Sequence, residues 1–91
     1  MARFFFHLRD CSGELIDEEG TELPSLAAAR EKALEAARDI LSHEMKAGRL
    51  NLSCRIDIAD EQGRVVGSLP LRDAFETFGE DGESRRSTRE R

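Results

Sequence analysis

Tryptophan and tyrosine are absent, and cysteine, proline and histidine occur only twice each in 91 residues. With 38% hydrophobic against 36% charged residues and no large indole or phenol ring, the chain has material for one helix-on-sheet core and no more. A single domain of this length buries roughly 60–65% of its unfolded surface, so a second copy would be a useful supplement to its stability. Cys11 in a turn and Cys54 inside an alternating run are too few and too dissimilarly set to read as a disulfide framework. No closely spaced sulfur or imidazole pair suggests a metal site. A reduced, cytoplasmic protein is therefore expected. No stretch approaches membrane-spanning length, and the three-residue Phe run of the opening MARFFFHLRD falls short of a signal-peptide hydrophobic region. The seven glycines are scattered, and none forms a phosphate-cradling loop before a helix.

Basic surface is scarce too. The formal charge is −5; four arginines against one glutamate give the last seven residues +3 and leave −8 on residues 1–84. An acidic body argues against nucleic acid as a partner, because that affinity depends on clustered Lys and Arg neutralising phosphates. The basic terminus, Arg85, Arg86, Arg89 and Arg91, has no aromatic residue interleaved and reads as a solvated tail. From Gly79 onward no apolar residue occurs, so 1–78 is read as one domain and 79–91 as a disordered tail.

What is present is one long amphipathic stretch. At about 100° per residue, Leu26, Ala29, Ala33, Leu34, Ala37, Ile40 and Leu41 gather on one face, with Glu31, Glu35, Arg38, Asp39, Ser42 and Lys46 opposite. Ser25 after Pro24 is the natural N-cap, and Gly48 the stop. Arg30 falls near the apolar face and is expected to lay its stem along it, keeping its charge in water. His43 near the helix end complements the dipole.

Around this helix the chain reads as strands. Arg3–Arg9 places Phe4, Phe6 and Leu8 on one face and Phe5, His7 and Arg9 on the other. After turn formers at Asp10–Gly13, Glu14–Glu18 is expected as a second strand of a hairpin. Leu50–Ile58 alternates without fault, and Arg64–Leu69 returns as a fourth strand before Pro70. Leu71, Ala74, Phe75 and Phe78 then recur at helical spacing. The fold class is α+β: a two-layer ββαββ arrangement, sheet order 2-1-3-4, one long helix on one face and a short C-terminal helix. Phe5 then has no evident cover within the chain, and a second subunit is the simplest one.

The candidate contact residues are accordingly Phe5, His7, Arg9 and Arg55, on the face away from the helix. The acidic turn Asp17, Glu18, Glu19 lacks the spaced pattern of a cation loop and is read as solvated. His7 and Asp17 face each other across the expected hairpin, which is an acid–base arrangement in outline, yet no nucleophile or second imidazole accompanies them. Catalytic residues, metal ligands and cofactors are therefore expected to be none.

The combination RFFFHLRD at 3–10, DEEGTELPSLAAAR at 17–30, GRLNLSCRIDIADEQGRVV and LPLRDAFE resembles a family of small proteobacterial proteins known as a domain of unknown function, over residues 3 to about 78. That resemblance implies a cytoplasmic domain and no assigned activity. A looser similarity, of topology and helix pattern, links the arrangement to the N-terminal domain of HicB-type antitoxins. The reading is a non-enzymatic interaction module, homodimeric and with a possible protein partner. The alternative is an antitoxin-like or regulatory protein that binds a toxin RNase or nucleic acid through the arginine tail.

Overall fold

Four strands and one helix make up the fold, seen in a computed structural model that describes residues 1–11 and 13–79. Strands β1 (Ala2–Arg9), β2 (Thr21–Leu23), β3 (Arg55–Ala59) and β4 (Val65–Pro70) form one antiparallel sheet in the order β2-β1-β3-β4, the order expected. Helix α1 (Leu26–Lys46) lies on one face of the sheet, and a single 3-10 turn (Leu71–Ala74) follows β4. The class is α+β, and no helix among the described residues is long and apolar enough to cross a membrane.

Both ends of α1 are closed as its sequence requires. The Ser25 hydroxyl accepts from the Ala28 amide at 3.1 Å. At the other end Gly48 takes φ +87°, which lets its amide reach the Met45 carbonyl and the Arg49 amide reach the Glu44 carbonyl. Those paired bonds are the Schellman arrangement and satisfy carbonyls that would otherwise end the helix unpaired. Ala29, Ala33, Ala37 and Leu41 are buried against Phe4, Ile56, Ile58 and Leu71. Three alanines along the contact bring the helix axis close to the sheet, so complementary shape replaces bulk. Arg30 is exposed, with its guanidinium beside Gly67 of β4.

Four expectations are corrected. The second strand is Thr21–Leu23, and the Glu14–Glu18 segment keeps only one bridge, Leu8 with Leu15. Its ladder is displaced by the Asp17 carboxylate, which accepts from the amides of Glu19 and Gly20 and folds the chain locally. β3 is confined to Arg55–Ala59 because the Glu44 carboxylate takes the Asn51 amide and the Asn51 side chain takes the Ser53 amide, bending residues 51–54 out of extension. The expected terminal helix stops after one 3-10 turn: Arg38 donates to the Ala74 carbonyl at 2.8 Å, occupying the acceptor a longer helix would use, and Phe75 is extended. Phe75 packs at the helix side of the sheet while Phe78 is 77% exposed, so neither covers Phe5.

The fourth correction concerns sulfur. Cys11 and Cys54 are joined in a disulfide across the end of the sheet, with Cα atoms 4.8 Å apart, so the reduced state expected from their count does not hold. Antiparallel pairing of Arg9 with Arg55 is what brings the two together, since one cysteine follows β1 and the other precedes β3. Cys54 is nonetheless a core residue, as its place in the alternation implied. On a chain-entropy view, closing a loop of 43 residues stabilises the fold by about 4 kcal/mol. The arginines at 85, 86, 89 and 91, and all but Gly79 of the tail read over 79–91, lie outside the described residues.

Candidate functional site

The helix covers one sheet face only. On the other, the strand alternation sets Phe5, His7 and Arg9 of β1 opposite Ala59, Asp57 and Arg55 of β3, and Ser68 of β4 opposite Asp57. All four contact residues expected from the sequence therefore share one surface.

Asp57 is its centre. The residue is only 4% exposed, although it lies on the open face, because long side chains fold over it. Arg55 Nε donates to its Oδ1 at 3.0 Å, the Ser68 hydroxyl to the same oxygen at 2.9 Å, and Arg9 Nε lies 3.3 Å from Oδ2. Burial works against the negative charge, but the hydrogen bonds from Arg55 and Ser68 and the charges of Arg55 and Arg9 outweigh it and hold the carboxyl below the usual aspartate range. The Asp57 hydrogen bond raises Arg55 in return. Arg55 also reaches the Asp10 carboxylate, and Arg9 the Glu14 carboxylate at 3.1 Å. Two guanidinium groups are thus fixed in orientation on an open surface.

His7 is held differently. Its Nδ1 accepts from the Asp17 amide at 3.1 Å, which requires that nitrogen to carry no proton. The Asp17 carboxylate in turn accepts from the amides of Phe6, Glu19 and Gly20 at 3.1, 3.2 and 3.1 Å. Burial pushes this carboxyl up, and the three amide bonds bring it below its ordinary value. Every strong acceptor of the pair is committed to holding residues 17–20 against β1. Arg30 lies on the helix side beside β4, with the sheet between it and His7.

The acidic turn divides. Asp17 faces inward, whereas Glu18 and Glu19 are exposed. Arg3 secures the turn from outside by donating to the Glu19 carbonyl at 2.8 Å and pairing with Glu22. Gly20 sits at φ +73°, and a Cβ there would come within 2.8 Å of both Arg3 Cγ and Phe5 Cε2. The Phe5 ring therefore leans over Gly20 and is half-buried, a cover from within the chain that the sequence reading did not supply. Among the described residues no group of three or more His, Cys, Asp or Glu side chains is placed to hold a metal ion.

Asp57, Ser68 and Gly20 belong to this surface and were not singled out from the sequence; Asp10 belongs to it too and was read only as a turn residue near the acidic cluster. For Asp57 a signal existed: it lies on the polar side of the 50–58 alternation, two residues from Arg55, and antiparallel pairing with β1 puts it beside His7 and Arg9. For Asp10, a non-glycine residue at φ +66°, the signal was its residue type in a turn, because aspartate is among the few side chains that take this backbone readily.

A family model described as Domain of unknown function (DUF6894) matches residues 3–72. No curated protein and no solved structure matches the chain.

Proposed function

We propose that this chain, which belongs to the DUF6894 family of domains of unknown function, is a non-enzymatic binding module that pairs with a second copy of itself through the helix-free face of its sheet. The observation that carries the reading is the set of preoriented side chains on that face: Phe5 half-buried over Gly20, and Arg9 and Arg55 fixed around the buried Asp57. Orienting such groups in the free protein reduces the ordering cost of association. A face with one aromatic ring among arginines matches the composition of contact surfaces, in which aromatic residues and Arg are enriched. A two-fold related copy would meet it with the same residues. The non-enzymatic part is supported by the commitment of His7 Nδ1 and the Asp17 carboxylate to backbone amides, which leaves that pair holding structure.

No observation favours the antitoxin-like alternative, since the arginines that would make its electrostatic contact lie outside the described residues. Light scattering on the full chain during size exclusion tests the proposal. At tens of micromolar the wild type is expected at twice the chain mass and Phe5→Ala, verified as folded by circular dichroism, at the monomer mass. A wild type that remains monomeric under these conditions contradicts the proposal.

A further inference from the structure

We propose that the outer edge of the Glu14–Glu18 segment is a second binding surface, which takes up an extended peptide bearing apolar side chains between basic ones as an added strand. This goes beyond the pairing of copies and uses a different part of the molecule.

The segment is pinned along its inner side. Leu15 exchanges both backbone bonds with Leu8, at 2.9 and 3.0 Å, and the Asp17 amide is held by His7. In an extended stretch successive residues turn their backbone groups to opposite sides, so Ile16, between two inward-bonded neighbours, directs its amide and carbonyl outward. Neither group meets a partner among the described residues, and Ile16 is 46% exposed. The outer edge thus offers the unpaired amide and carbonyl of Ile16, held in place by its bonded neighbours, as the point at which an added strand can pair.

Beside it lies an open pocket of about 470 Å³ lined by Phe6, Leu15, Ile16, Asp17, Glu18 and Glu19. Leu15 is 68% exposed, so a large aliphatic surface stands in water next to a half-buried ring. That surface fits an apolar side chain of the incoming strand. Three carboxylates flank it, two of them exposed, and no guanidinium or ammonium group lies among the lining residues. Charge complementarity therefore selects a peptide in which Lys or Arg alternates with the apolar residue, and disfavours an acidic one.

The test uses the full chain labelled with ¹⁵N and two probe peptides, acetyl-Arg-Val-Arg-Leu-Arg-amide and its counterpart with Glu in place of Arg. The basic peptide is expected to shift the amides of residues 15–19 saturably and the acidic one to leave them unmoved. Affinity for the basic peptide should fall about tenfold or more in Glu18→Lys/Glu19→Lys, whose exposed positions leave the fold intact, and in Ile16→Pro, which removes the edge amide. The proposal is overturned if the basic peptide moves nothing at 15–19, if both peptides bind alike, or if dilution of the chain alone moves the amides of Leu15, Ile16 and Glu18, which would identify a second copy as the occupant; the Asp17 amide, bonded to His7 of the helix-free face, is left out of that last readout. Failure here leaves the helix-free face untouched, because that face is read at the amides of Phe5, Arg9 and Arg55.

Discussion

The two faces of one sheet are stabilised by different physics. Under α1, Phe4, Ile56 and Ile58 meet alanines, and the contact is burial of apolar surface with no polar group to satisfy. On the helix-free face a carboxylate, two guanidinium groups, a hydroxyl and an aromatic ring over a glycine fill the same area. The first face needs only residues of suitable size at the right period. The second needs particular atoms in particular places, and it is the face through which we propose that the chain pairs. A sheet that must both fold and present a surface divides those tasks between its sides.

That contrast can be probed by substitution. Ile58, which is 1% exposed beneath the helix, should be the most costly: Ile58→Ala is expected to lower unfolding free energy by about 3–4 kcal/mol in urea titration. On the open face, Gly20→Ala combines a left-handed backbone with overlap onto Arg3 and Phe5, for a loss of about 2–3 kcal/mol. A loss below a few tenths of a kcal/mol would mean that the Phe5 ring is not anchored there. Asp57→Asn keeps the shape but removes the charge facing Arg9 and Arg55, with an expected cost of about 2 kcal/mol at neutral pH.

Acid should reproduce part of that last effect. Asp17 and Asp57 hold their protons less tightly in the folded chain than in the unfolded one, so the unfolded state binds more protons between the two values, and stability rises with pH there. Their contribution is complete above the ordinary aspartate range, near about pH 4, and disappears as pH falls through the lower folded values. Urea midpoints measured from neutral to acid pH should fall across this window, and fall less in Asp57→Asn.

The covered face was largely legible in the sequence, because a 3.6-residue apolar period, a serine cap and a stopping glycine all leave marks in a single chain. The strand order followed from connectivity. The open face was legible only as a list. Phe5, His7, Arg9 and Arg55 were identified as sharing it, but Asp57, which organises them, was read as one polar residue in an alternation. The second strand was misplaced because ELIDE follows turn formers and reads as the return strand of a hairpin, while the hydrogen bond that the Phe6 amide donates to the Asp17 carboxylate, across eleven residues, is a tertiary event. The disulfide escaped for a related reason: two cysteines 43 residues apart carry no spacing signal, and only the pairing of β1 with β3 places them together.

The central claim is that the helix-free face is where this molecule meets its copy, and a dilution series of ¹⁵N-correlation spectra tests it most directly. From high to low micromolar concentration the amides of Phe5, His7, Arg9, Arg55 and Asp57 should move together on one binding curve, while those on the exposed side of α1, such as Glu31, Glu35 and Asp39, stay fixed. Spectra that do not change on dilution, or changes confined to α1, would contradict it.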